Sequence, residues 1–233
     1  IDAIVHRNGT IPYLSSEDYQ LDPGMGLGEG ITRSWNRLLG AWQRFSEERG
    51  KGKRVGAGRT RELLLQVLLE ELRFGRPPRV GGVKVDERYF PITHMWENVP
   101  IHLLAPEIPL DRRSEGVAGA AQSSPHTIVQ EFLNASDDHM WGLLSNGRIL
   151  RLLRDNRSIT RTPYIEFDLE AIFEGELFSD FSVLWLLCHQ SRFEAPEPER
   201  SILEQWRNVG IQSGERALED LRGGVEKAIS MLG

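Results

Sequence analysis

The sequence predicts an α/β (α+β) fold, a small mixed β-sheet flanked by helices, on three observations. Apolar residues recur at helical spacing from Ile31 to Phe45 and again from Leu63 to Leu72. Short β-prone runs surround the dipeptide Asn146-Gly147, a hairpin signal. The segment from Phe178 to Phe193 is apolar almost all round, as a core helix requires.

Each element follows from local chemistry. Residues 1–30 are poor in pattern, and Asp22-Pro23-Gly24 reads as a turn. Ile31, Trp35, Leu38, Leu39, Trp42 and Phe45 form the buried stripe of a helix whose arginines lie opposite. Arg49 to Gly58 carries four glycines among cations, with Val55 as its lone apolar anchor, and reads as a flexible surface loop. Thr60 is placed to cap a second helix with Leu63, Leu64, Val67, Leu68 and Leu72 inside, stopped by Gly75 and Pro77-Pro78. Strands are expected at Val83–Val85, Tyr89–Ile92 and Ile101–Leu104. Residues 111–124 are small, polar and irregular. Ser124-Pro125 opens a helix that buries Ile128, Val129, Phe132 and Leu133.

Met140–Leu144 and Ile149–Leu153 flank Ser145-Asn146-Gly147, so a hairpin with a type I′ turn is expected, its apolar strands central in the sheet. Tyr164–Phe167 adds a strand, and Asp168 caps a helix through Phe173. Beyond Pro196 and Pro198, residues 199–232 read as one or two long charged helices with a thin apolar stripe suited to docking on another surface.

The chain has 233 residues, 39% hydrophobic and 27% charged, enough for one large domain with appendages rather than a disordered chain. No apolar run approaches the ~20 residues of a membrane helix. The one cysteine, Cys188, excludes an internal disulfide and a cysteine-built zinc site, and favours a reducing, cytoplasmic setting. The chain starts at Ile1 with no secretion signal and reads as a piece of something longer. Its net charge of −6 does not indicate a globally basic nucleic-acid binder. The charge is uneven: Arg33 to Arg61 holds nine basic side chains against Glu47 and Glu48, whereas Glu194 to Glu226 holds eight acids against four arginines. The basic stretch can meet phosphate or be a solvated helix and loop.

Sites of chemistry are sparse. Gly24-Met25-Gly26-Leu27-Gly28-Glu29-Gly30 precedes a helix but follows no strand, so it reads as a lead-in loop rather than a nucleotide cradle. Six scattered histidines lack metal-ligand spacing, and Cys188-His189 falls on the most apolar helix, where a thiol is inert. A Mg²⁺ nuclease needs an Asp and then Glu-x-Lys on adjacent strands; only Asp86, Asp111 and Glu131 offer themselves, and no acid-x-Lys unit lies on an expected strand. Arg148, Arg151, Arg154, Arg157 and Arg161 follow the hairpin, with Arg148 and Arg154 expected on one face and Arg151 on the other. That row can hold a phosphate backbone or pair with the acidic C-terminal helices.

Trp141-Gly142-Leu143-Leu144-Ser145-Asn146-Gly147-Arg148, Leu150-Arg151-Leu152-Leu153-Arg154 and Tyr164-Ile165-Glu166-Phe167-Asp168-Leu169-Glu170 together resemble the N-terminal region of type IIG restriction–modification methylases. Similar regions occur in the large adenine methyltransferases of phage-defence systems such as DISARM and BREX. Ile101-His102-Leu103-Leu104, Leu110-Asp111-Arg112-Arg113 and Asp180-Phe181 through Arg192 look most like the DISARM branch, and the resemblance covers about residues 31–232. It implies a degenerate restriction-endonuclease-like core and long C-terminal helices. It also implies a parent enzyme that methylates adenine with S-adenosylmethionine in a domain beyond this segment. The Asn/Asp-Pro-Pro-aromatic motif that grips a flipped adenine is missing, since Pro77-Pro78 is followed by Arg79; no catalytic residue and no cofactor is carried over to this segment. The strand starting at Pro100 reads Pro-Ile-His where Glu-x-Lys would be needed for cleavage.

The expectation is then an irregular lead-in over 1–30, a nuclease-like but inactive domain over 31–193, and a helical connector over 194–233 toward a methyltransferase domain. The partners expected are double-stranded DNA and other defence-system subunits. Arg33, Arg37, Lys51, Lys53, Arg54, Arg148, Arg151 and Arg154 are the expected phosphate contacts, with no metal ligands. The alternatives are an active Mg²⁺ nuclease of the PD-(D/E)XK type and a protein-interaction scaffold that does not touch DNA.

Overall fold

The computed structural model describes residues 12–52, 54–156 and 164–214. It is a mixed α+β structure in which helices cover both faces of one five-stranded sheet. No helix among the described residues is long and apolar enough to cross a membrane.

Helix α1 (Leu27–Gly50) buries Ile31, Trp35, Leu38, Trp42 and Phe45, and starts one turn before the expected stripe. Helix α2 begins at Ala57 and ends at Glu71, and its middle, Arg61–Leu65, is a π-helical turn. The expected Thr60 cap is not formed. Gly56 occupies that position, and Thr60 is buried one turn inside with its hydroxyl donating to Gly56 O. The wider π turn takes up one extra residue and rotates the apolar stripe. Leu65 and Leu69 therefore join Leu64, Leu68 and Leu72 in the core, while Leu63 and Val67 are only half-buried. Arg73, in left-handed backbone at φ 69°, closes α2: its N–H reaches Glu70 O, and Phe74 N–H reaches Leu69 O. This is a Schellman closure two residues before Gly75.

A small hairpin of β1 (Val83–Val85) and β2 (Arg88–Phe90) precedes the main sheet. The main sheet runs β3 (His94–Trp96), β4 (Val99–Leu103), β5 (Trp141–Ser145), β6 (Ile149–Arg154), β7 (Tyr164–Asp168), in that spatial order. All neighbours are antiparallel except β4 and β5, which are parallel and joined through α3 (Pro125–Ala135). α3 starts where Ser124-Pro125 predicts, and Ser124 caps it by accepting from Thr127 N–H. β3 lacks a sequence signal of its own because its three residues include His94. β5 and β6 sit centrally, in line with their apolar runs.

The β5–β6 turn differs from expectation. Asn146 pairs with Ile149, leaving Gly147 and Arg148 as the central residues, and only Gly147 has positive φ (82°). That is the φ pattern of a type II′ turn. Asn146 instead uses its side chain, accepting from Arg148 N–H and Ile149 N–H and donating to Ile108 O.

After β7, Asp168 caps α4 (Leu169–Glu174) by accepting from Ala171 N–H. Helix α5 (Phe178–Cys188) is shorter than the apolar run that encodes it. His189 leaves the helix at ψ 138°, and a 3₁₀ turn, Gln190–Arg192, follows. Helix α6 spans 202–214 and carries Leu203 and Trp206 onto the core. The rest of the expected C-terminal helix lies outside the described residues.

Alternation along the strands gives the sheet two apolar faces. One joins Ile101, Leu143, Leu150 and Leu152 to α1, α2 and α5. The other joins Leu144 and Leu153 to α3 and the β1–β2 hairpin. Tyr19 from the lead-in is fully buried in the first, stacked on Trp185 at 5.0 Å, so the core starts well before residue 31.

Candidate nucleic-acid interface

The expected phosphate contacts sit on α1, on the loop after it and on the β5–β6 hairpin, and most already have acidic partners. On α1, Arg33 lies 3.7 Å from Asp22, and Arg37 is 2.7 Å from the buried carboxylate of Glu71. Lys51 pairs with Glu48 at 2.7 Å. Lys53 lies outside the described residues. At the hairpin, Arg148 Nε and Nη2 both reach Glu170 Oε2 (2.8 and 2.5 Å), and Arg49 holds the other oxygen at 2.8 Å. Partial burial would raise the Glu170 carboxyl, but hydrogen bonds from Arg148 and Arg49 prevail and hold it below the usual range. Arg154 makes a fork to Glu204 on α6 at 2.6 and 2.9 Å, the pairing with the acidic C-terminal region that the sequence leaves open.

Arg151 is the most enclosed of the set. It is 3% exposed, on the sheet face opposite Leu150 and Leu152. Its Nη1 and Nη2 donate to the two oxygens of Asp111 (2.6 and 2.7 Å), its Nε donates to Glu166 (2.6 Å), and Nη1 also reaches His126 Nδ1 at 3.2 Å. The Tyr164 ring lies 4.7 Å from the guanidinium carbon. The bidentate bond from Arg151 holds the Asp111 carboxyl below its ordinary range. Burial, then the charge of Arg151, keeps His126 neutral, so its Nδ1 accepts. A guanidinium thus fills the gap between two carboxylates on neighbouring elements.

The acids weighed for a nuclease are not gathered. Asp86 forms the β1–β2 turn at φ 51°, Glu131 on α3 binds Arg88 at 2.6 Å, and Asp111 belongs to Arg151. Among the described residues no cluster of three His, Cys, Asp or Glu is arranged to hold a metal. The Gly24–Gly30 run forms no phosphate cradle: Gly24 lies in a turn, Gly26 caps α1, and Gly28 and Gly30 are inside that helix, with no strand before them among the described residues. Cys188 is fully buried and its thiol is pushed far up by burial, so it is inert.

Among the described residues the cations without a carboxylate partner include one expected contact, Arg54, and two others, Arg61 and Arg79. Arg61 and Arg79 line one cavity, and Arg54 lines an adjoining one with Glu107 and Glu115; the two share Ala105, Ile108 and Val117 as walls. Arg54 was legible as part of the cationic loop. Arg61 belongs to the same basic stretch with no local feature that marks it, and Arg79, after Pro77-Pro78, carries no local signal of a site. What brings them together is tertiary: the start of α2 packs beside the segment leading into β3, where Arg79 bridges to His94.

No family model matches the chain, and no curated protein or solved structure shows significant similarity to it.

Proposed function

We propose that this chain is the non-catalytic, DNA-gripping part of an adenine-specific DNA methyltransferase of the restriction–modification and phage-defence kind. Its five-stranded sheet is read as a degenerate restriction-endonuclease-like core, and methyl transfer from S-adenosylmethionine is assigned to residues beyond those described. The resemblance across the hairpin supports the parent. The observation that carries DNA engagement is the split between cations: Arg37, Arg151, Arg148 and Arg154 are neutralised by Glu71, Glu166, Glu170 and Glu204, whereas Arg54, Arg61 and Arg79 have no carboxylate partner among the described residues and line two adjoining cavities. Phosphate contact by three arginines implies far weaker salt dependence than eight would.

The experiment is fluorescence anisotropy with a labelled duplex at several salt concentrations. Three phosphate contacts give a log–log slope of about −2.7, or roughly a 40-fold loss of affinity between ~50 and ~200 mM salt. Arg54→Ala should weaken binding to every sequence alike and reduce the slope by about 1. A flat salt response, or no binding at low salt, overturns the reading and moves the role to subunit docking. The same duplex with Mg²⁺ should remain uncut, because Arg151 supplies the positive charge between Asp111 and Glu166.

A further inference from the structure

The cavity between α2, β3 and the end of β4 has a composition that DNA backbone contact does not require. It encloses about 350 Å³, within the range of small-molecule sites. Arg61 and Arg79 line one part, with His94 between their elements; Leu104, Ile108 and Val117 line another. Among the described residues no carboxylate lines it, and neither arginine has an acidic partner. Ala57 and Gly58, small residues at the start of α2, leave its wall without bulk.

The polar side is held in place. Thr93 Oγ1 donates to Ile101 O and accepts from Leu103 N–H, and His94 Nδ1–H donates to it at 2.9 Å. That fixes the neutral tautomer, so His94 Nε2 accepts from Arg61 Nη1 at 3.1 Å. A neutral imidazole thereby orients a guanidinium without cancelling its charge. His94 itself is 5% exposed and locked within the sheet edge.

We infer that this cavity is a binding site for a phosphate monoester of small-molecule size, its phosphate between Arg61 and Arg79 and its less polar body against Leu104, Ile108 and Val117. Two guanidiniums suit the dianion of a terminal phosphate better than the single charge of a phosphodiester. The ester can be a free mononucleotide or the 5′-phosphorylated end of a strand. The inference goes beyond the DNA reading and does not depend on it, because backbone contact is indifferent to whether an end carries phosphate.

The test uses the full chain and two probes: 2′-deoxyadenosine 5′-monophosphate by calorimetry, and a labelled oligonucleotide with either a 5′-phosphate or a 5′-hydroxyl by anisotropy. A binding isotherm for the monophosphate that is absent for deoxyadenosine identifies the free nucleotide. A tenfold or greater preference for the phosphorylated end, with no monophosphate isotherm, identifies the strand end. Either result should vanish in Arg61→Ala/Arg79→Glu. Arg79 is exposed, so Arg79→Glu alone should keep the wild-type melting temperature while losing at least tenfold in affinity; it guards against a misfolded double variant. No monophosphate isotherm together with equal binding of both oligonucleotides, or binding that survives Arg79→Glu and the double variant, overturns the inference whether or not duplex DNA is bound.

Discussion

Arg192 is the residue whose environment most needs explaining, because it is a fully buried cation that forms no salt bridge among the described residues. Burial lowers its pKa, yet the guanidinium is well served: Nη1 donates to Tyr13 O at 2.8 Å, Nη2 to Asp18 O at 2.5 Å, and Tyr19 stacks 3.9 Å from its carbon. Trp206 on α6 lies 5.2 Å away on the same cation. One side chain therefore fastens the lead-in and α6 to the end of α5. Arg192→Ala would leave two carbonyls unpaired and a void, and a loss of about 3 kcal/mol or more in urea unfolding is expected. Arg192→Lys should recover only part, since an ammonium cannot stack flat on Tyr19 while serving both carbonyls. Arg151 makes a contrasting case, because its partners are ionised. In Arg151→Leu the Asp111 carboxyl should titrate at higher pH than in the wild type, readable by side-chain carbon NMR. An unchanged Asp111 titration would mean that the bidentate bond is not what holds it down.

At the scale of elements, α2 tests whether the π turn sets the core. Leu65 is 1% exposed and Leu63 only half-buried, although a regular 3.6-residue stripe puts Leu63 inside and Leu65 out. Leu65→Ala should cost about 2–5 kcal/mol and Leu63→Ala clearly less; the reverse order of melting temperatures would restore the regular register. Other elements show what a sequence encodes locally. The Asp168 cap and the helix start at Ser124-Pro125 were legible because the bond made at each spans three residues. Val55 was legible as an anchor because nothing else apolar stood near it. The π turn, the end of α5 at His189 and the strand β3 were not legible, because distant partners decide them: Gln190 N–H binds Leu72 O, and β3 exists by pairing with β4. The candidate site divides in the same way. Charge counting found Arg54 and the hairpin arginines, but only packing reveals that the latter are paired and that Arg61 and Arg79 line one cavity. Gly147 lies between these levels. Its φ of 82° suits glycine, and an added Cβ would sit 2.6 Å from the Thr60 side chain, so Gly147→Ala should destabilise both turn and helix contact by more than the ~1 kcal/mol of backbone strain alone.

For the whole molecule, buried neutral histidines tie the fold to pH. His102 and His189 are fully buried and His94 nearly so, and each is spread over a different contact: β4 to Gly119, α5 to the 3₁₀ turn, and the sheet edge to Arg61. Burial pushes His102 and His94 down to about 4 and His189 down to about 3, with Arg61 and Arg79 adding to the effect at His94 and Arg192 and Arg73 at His189. In the unfolded chain a histidine takes up its proton near 6.5. Between pH 6.5 and about 4 the unfolded state therefore binds protons that the folded state refuses, and stability falls as pH falls, by at most about 1.4 kcal/mol per pH unit for each histidine. Asp111 and Glu170, both held below the usual carboxylate range, act in the same direction at lower pH, since their contribution is lost as they protonate. Urea midpoints measured from pH 7.5 to 4 should be level above about 7 and drop steadily below 6.5. His94→Gln should flatten part of that drop, because glutamine can accept from Arg61 without titrating. A midpoint that is constant down to pH 4.5 would mean that these imidazoles are hydrated or charged in the folded chain, and would remove the neutral acceptor that orients Arg61 in the anion cavity.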